Sequence, residues 1–182
     1  MTSHTNEKDA LGTLVKEPVE IDTVKKFIGY AADLNDDDML LRQMIKQARS
    51  LLEDMMGRVI IRRKFETTMT NAHARDNAAL LSIPVAVPLR VVHSVEYERP
   101  CGESVKCADY SSAPWDGGIV EVYVNEPFRS VTISYESGYD VVPESIRYAV
   151  LQLCKALYDR TGLEEVIAQL RPQLQAYWNE NI

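Results

Sequence analysis

The residue types able to do chemistry are spread thinly along this chain of 182 residues. The densest group is the acidic run Asp36, Asp37 and Asp38. A calcium loop needs alternating oxygen ligands, a turn glycine and a distal glutamate. Here the acids are consecutive, lack such a glycine and lead straight into an apolar-periodic segment. That is the pattern of a helix start, where carboxylates meet unsatisfied N–H groups and partial positive charge. His4, His73 and His93 stand apart, with no His-x-x-x-His pair, and Cys101, Cys107 and Cys154 form no Cys-x-x-Cys pair. Zinc ligands normally come at such short spacings, so no zinc site is expected. Neither a Gly-x-Ser-x-Gly elbow nor a phosphate-cradling glycine run occurs; Gly117-Gly118 is a turn before a strand. Glu164-Glu165 sit at another helix start. No catalytic, cofactor-binding or metal-ligating residue is therefore expected, and no cofactor.

Two groups remain. The segment "RVIIRRKF" carries Arg62, Arg63 and Lys64, which could face a phosphate backbone, a neighbouring subunit or water, with Glu66 nearby to neutralise them. At the far end, Leu163, Val166, Ile167, Leu170, Leu174, Tyr177 and Trp178 recur at helical spacing. Tyr and Trp are favoured interface anchors, so this face docks either on a partner or on its own chain. The net charge of −7 argues against a surface built to neutralise many phosphates, and it favours solubility. The 46% apolar and 26% charged composition is that of a soluble globular protein. No apolar run approaches the ~20 residues of a membrane helix, and "MTSHTNEKDALGTLVKEP" lacks the basic start and apolar core of a signal peptide. Cytoplasm is the expected compartment, and three cysteines there do not suggest a disulfide framework.

The elements that must position these residues follow from periodicity. Residues 1–18 are polar and aperiodic and read as a flexible arm. A short helix follows at "IDTVKKFIGY", with Asp22 as its expected N-cap. The strongest helix is "DDDMLLRQMIKQARSLLEDMMGR", where Leu41, Met44, Ile45, Ala48, Leu51, Leu52 and Met55 repeat at i, i+3, i+4 and Gly57 stops it. From Arg58 to about residue 136 the pattern is strand-like. Val59, Ile61, Phe65 and Met69 share one expected face and Ile60, Arg62, Lys64 and Glu66 the other, a second strand runs through Val91, Val95 and Tyr97, and Ser104–Ala108 is a weak strand. "IVEVYV" and "SVTISYE" are strong alternating strands. Pro143 opens a helix whose core face is Ile146, Ala149, Val150, Leu153, Cys154 and Leu157. A last helix begins at Leu163, and Pro172 is expected to kink or restart it. The class is α+β: short and long N-terminal helices, a small antiparallel sheet system, and C-terminal helices.

Two stretches resemble the tailed-phage head–tail connector (adaptor) proteins. The first is "VEIDTVKKFIGYAADLNDDDMLLRQMIKQARSLLEDMMGRVIIRRKFETTM", with its acidic lead into a long helix ending in "ARSLLEDMMGR". The second is "IVEVYVNEPFRSVTISYESGYDVVPESIRYAVLQLCKALYDRTG", where a "VTISYESGY" strand runs into a "VPESI" helix start. With "LLSIPVAVPLRVVHSVEYE" between them, the likeness runs from about Val19 to Gly162. It implies a connector domain at 19–162, a flexible arm at 1–18 and a C-terminal helical segment at 163–182 for partner contact.

The resemblance also implies a structural subunit of the virion neck, assembled in host cytoplasm, with no enzyme activity. It implies that copies form a ring, usually dodecameric in this family, that joins the portal protein to a stopper or tail-completion protein. DNA passes through the ring without sequence-specific binding, and no membrane is involved. The alternatives are another neck component, such as a tail-completion protein, or a small enzyme or ligand-binding module marked by a deep polar pocket.

Overall fold

The structure, a computed structural model, describes residues 4–8, 16–30, 37–70, 79–113 and 117–178. The chain divides into two compact units: Val15–Ile61 with Tyr139–Glu180 is helical, and Arg62–Gly138 with the N-terminal residues is built of strands. The expected boundaries at 18 and 162 follow chain order. The compact units do not, because the helical one is assembled from both sides of the sheet sequence.

In the helical unit, α1 (Ile21–Ile28), α2 (Asp38–Met56), α3 (Glu144–Asp159) and α4 (Leu163–Leu174) share one core. The i, i+3, i+4 rows place Leu41, Ile45, Ala48 and Leu52 of α2 and Ile146, Ala149, Val150 and Leu153 of α3 out of solvent. Gly57 takes the left-handed conformation that ends α2, with φ at 61°, a geometry that costs a Cβ-bearing residue energy. The helix starts differ from expectation. Asp22 lies inside the first turn of α1, and Glu20 precedes the helix without a side-chain cap. Asp38 begins α2, and its carboxylate binds buried Lys25 at 2.6 Å instead of capping the helix; Asp36 lies outside the described residues. Pro143 precedes α3 rather than opening it. Helix α4 runs two residues past Pro172, then tightens into a 3-10 turn at Gln175–Tyr177. A proline removes one backbone donor near the helix end, where a tighter turn satisfies the neighbouring groups.

Two further contacts organise this unit. Glu53 near the end of α2 accepts the Ile60 N–H at 2.8 Å and the Arg49 Nη1–H at 3.0 Å, while Arg49 Nε donates to Glu17 at 3.0 Å. Beside it, the Tyr139 N–H donates to the Ile60 carbonyl at 3.1 Å, and Ile61 and Tyr139 form a parallel bridge. The alternation predicts a strand from Arg58, with Val59 and Ile61 on one face and Ile60 on the other. Instead the strand begins at Arg63, and Ile60 is fully buried in the helical core.

The strand unit holds two antiparallel sheets. One has the order β1 (His4–Lys8), β2 (Arg63–Thr70), β8 (Ser130–Ser137), β4 (Leu89–Glu98), β5 (Ser104–Lys106); the other is β3 (Ala79–Pro84), β7 (Ile119–Val124), β6 (Tyr110–Ser112). Alternation on β7 and β8 sends Val120, Val122 and Val124 in one sheet and Val131, Ile133 and Tyr135 in the other to buried sides. Tyr135 stacks on Phe65, accepts the Ala86 N–H at 3.0 Å and meets the Thr67 hydroxyl at 3.1 Å. Strand β4 carries two irregularities, between Leu89 and Val91 and between Val92 and Ser94. They leave Val91 exposed while Val95 and Tyr97 of the same strand are buried. Strands β1 and β6 were not expected. Residues 4–8 pair with β2 through main-chain groups, which need no apolar alternation.

The Glu53 contact yields the first prediction. Glu53→Ala leaves the Ile60 N–H and the Arg49 guanidinium without this acceptor, and urea unfolding should show a loss of about 1–3 kcal/mol. Glu53→Gln keeps an acceptor and should lose clearly less. Equal losses for the two variants would remove this contact from the explanation of the fold.

Candidate functional surfaces

The basic run at the start of β2 is divided among separate tasks. Arg62 Nε donates to Glu136 at 2.6 Å, and His93 of β4 holds the other oxygen of the same carboxylate at 2.9 Å. Burial pushes the Glu136 carboxyl up, but the hydrogen bonds from Arg62 and His93 outweigh it and hold the group below 4.5. The Arg63 guanidinium lies 5.4 Å from the centre of the Phe65 ring. Lys64 is half-buried, in register with Glu136 on one side and Lys8 on the other. Sequence reading offered Glu66 as the neutralising neighbour. The partner of Arg62 is Glu136, which strand pairing brings across 74 positions of sequence.

The C-terminal apolar residues gather on one side of α4. Leu170 and Leu174 are buried in the helical core, and Leu163, Val166, Ile167, Tyr177 and Trp178 pack against it half-buried. Tyr177 accepts a hydrogen bond from Ser145 at 2.9 Å, the Trp178 carbonyl faces Arg58 at 3.5 Å, and Arg171 lies 5.8 Å from the Trp178 ring. This face is therefore in contact with the chain's own helical core. Its opposite side, with Glu164, Glu165, Gln169 and Arg171, is exposed.

Sequence reading missed a polar cluster near the far end of β4. Arg99 binds Glu126 through Nη2 at 2.8 Å and through Nε at 3.1 Å, and Glu103 through Nη1 at 2.8 Å. The Tyr97 hydroxyl also donates to Glu126. Arg99, then Tyr97, hold the Glu126 carboxyl below 4.5, while the bond to Glu126 raises the Tyr97 phenol above 10.0. Glu126 lies in a connection with no strand period, so only its position in space pairs it with Arg99. Close by, an open groove on the larger sheet is lined by Glu66, Glu96 and Glu98 with serines and Thr132.

The three cysteines are free thiols, with Cys101 exposed, Cys107 half-buried and Cys154 buried. Burial, with a smaller contribution from Glu17, pushes the Cys154 thiol up to about 12. Among the described residues, no group of three His, Cys, Asp or Glu side chains is placed to hold a metal ion, and no helix is long and apolar enough to cross a membrane. His73 lies outside the described residues, as do the side chain of His4 and residues 179–182 at the chain's end.

These features define an α+β protein whose described polar contacts tie elements together. The chain belongs to the head completion protein family, whose profile matches residues 19–165. No curated protein matches the sequence. Among solved structures, the chain is similar to one from the neck of an empty gene transfer agent (GTA) particle computed with C6 symmetry. The TM-score there is 0.67 at 17% identity, covering 92% of this chain and 94% of that one. A chain in the virion of a native gene transfer agent particle gives 0.65 at 18% identity, over 91% and 94%. One from the neck of the native particle computed with C12 symmetry gives 0.59 at 16% identity, over 92% and 94%. At these identities the likeness establishes a shared fold.

Two predictions follow from the titrating groups. A carboxylate held below its ordinary value contributes stability that is present above about pH 4.5 and is lost as pH falls through its lower folded value. Glu126→Gln should therefore lower the urea midpoint most at neutral pH, and the gap to wild type should close on acidification. A gap that widens in acid would contradict the Arg99–Glu126 pairing. For Cys154, the raised thiol gives stability fully present below pH 9.0 and lost as pH rises toward about 12. At pH 8 an aromatic disulfide reagent should label Cys101 quickly and Cys154 only after denaturation. Fast labelling of Cys154 in the native protein would show that its helix face opens to solvent.

Proposed function

We propose that the chain is a structural subunit of a phage-type neck, forming a ring that joins the portal to stopper or tail-completion proteins around the DNA channel. The observation that carries this reading is likeness over nearly the whole of both chains to subunits from necks computed with C6 and C12 symmetry, together with family membership across residues 19–165. A ring subunit must present two different surfaces to its two neighbours. A polymer sliding through the ring is best met by a surface that does not hold phosphates, and the net charge of −7 suits that. In this reading the protein catalyses nothing, and its place is the virion neck.

The C-terminal segment 163–182 is proposed to contact the portal. Its apolar residues fasten α4 to the helical core, so the exposed side with Glu164, Glu165 and Arg171 would meet the partner. Arg62, engaged with Glu136, would meet a neighbouring subunit or the channel without a large net positive field.

Static light scattering tests the assembly. Alone, the purified protein should be a monomer or a large ring; with the portal protein it should form complete rings on it. A discrete dimer in the presence of portal would overturn the ring reading. Capture by a tail-tube protein in place of portal would move the subunit to the other end of the neck.

A further inference from the structure

The three-stranded sheet breaks the usual division between an apolar inside and a polar outside. On β7 the inward positions are Val120, Val122 and Val124, as a half-buried strand requires, yet the outward ones are Ile119, Glu121 and Tyr123. Strand pairing sets Leu80 beside Tyr123 and Pro84 beside Ile119, so their side chains share the outer face. Leu80 is 65% exposed, Tyr123 44% and Ile119 43%. Glu121 is the charged side chain among them, flanked by Ser82 on β3 and held by the Ser111 hydroxyl at 3.2 Å on β6.

A second exposed face with the opposite charge lies on α2. Met39, 76% exposed, and Leu40 stand at the start of the helix. One turn and two turns on from Met39 come Arg42 and Lys46, with Gln43 between them, all exposed. Asp38, the acid next to this face, is bound to buried Lys25. The outward side of α2 from Met39 to Ser50 therefore combines apolar groups with two cations and no exposed acid.

We infer that these two faces are the halves of the contact between neighbouring copies of this chain, with Leu80, Ile119, Glu121 and Tyr123 of one copy meeting Met39, Leu40, Arg42 and Lys46 of the next. Charge decides the pairing. Sheet face against sheet face would set Glu121 against Glu121, and helix face against helix face would set cations against cations, both unfavourable. Unlike faces place the single carboxylate against the two cations and cover both apolar groups. Such a contact uses a different surface on each copy, and repeated with rotation it closes into a ring. This inference rests on the ring reading and adds the surfaces that would make it.

The test is charge exchange in the full chain, read by light scattering with portal present. Glu121→Lys should reduce the assembled fraction roughly tenfold or more, and so should Arg42→Glu combined with Lys46→Glu. All three changes in one chain should restore rings, because the charges again oppose. As a second measurement, with Cys101→Ser and Cys107→Ser as background, Met39→Cys and Tyr123→Cys in one chain should give an oxidised ladder of multimers. Either cysteine alone should leave monomers. Charge variants that assemble like wild type, or crosslinked dimers from a single cysteine, would overturn this contact while leaving the ring reading intact. Wild-type chains that never form rings would overturn both.

Discussion

Everything in this fold depends on how the chain leaves the helical core and returns to it. It departs through Ile60 and Ile61 and comes back at Tyr139, and the two passages are held side by side by the hydrogen bond from the Tyr139 N–H to the Ile60 carbonyl. The Glu53 carboxylate fixes the outgoing passage by taking the Ile60 N–H, and Arg49 fixes Glu53 in turn. A charged acceptor on a backbone donor is stronger than a neutral one. With these passages anchored, the intervening residues Arg62–Gly138 fold as a unit of their own.

Among the described residues, carboxylates repeatedly join one element to another. Glu136 joins Arg62 to His93, Glu126 joins Tyr97 to Arg99, and Asp38 joins Lys25 of α1 to α2. Each carboxylate is already engaged by its neighbours, so its charge serves to connect elements. The exposed surfaces among the described residues include the polar side of α4, the acidic groove of the larger sheet, the outer face of the smaller sheet and the outward side of α2. That inventory suits a protein that works by contact with other proteins.

Sequence patterns disclosed some of this and hid the rest for identifiable reasons. Helix α2 was legible almost residue by residue, because a 3.6-residue period sustained over five turns has no competing explanation. Strands β7 and β8 were legible as strands, but alternation does not name a partner, so a single sheet system was expected where two sheets exist. The irregularities in β4 shift the period by a residue each time, so spacing alone does not show that Val91 is exposed while Val95 and Tyr97 are buried. Strand β6, with every residue exposed, carries no apolar signal. At the candidate surfaces, Leu170, Leu174 and Trp178 were visible as an apolar face, but periodicity cannot tell a core from an interface. The partners of Arg62 and Arg99 were invisible, since both are brought close only by strand order and loop position. The outward Ile119 and Tyr123 were visible in "IVEVYV", yet a strong strand pattern reads the same whether its second face meets solvent or a neighbour.

The most direct measurement is a cryo-electron-microscopy reconstruction of the neck from particles that carry this protein. Repeated copies of this fold should form a closed ring against the portal, surrounding the DNA path, with unlike surfaces of adjacent copies in contact. A neck whose density holds no such ring, or purified particles that lack the protein altogether, would contradict its role as a neck subunit.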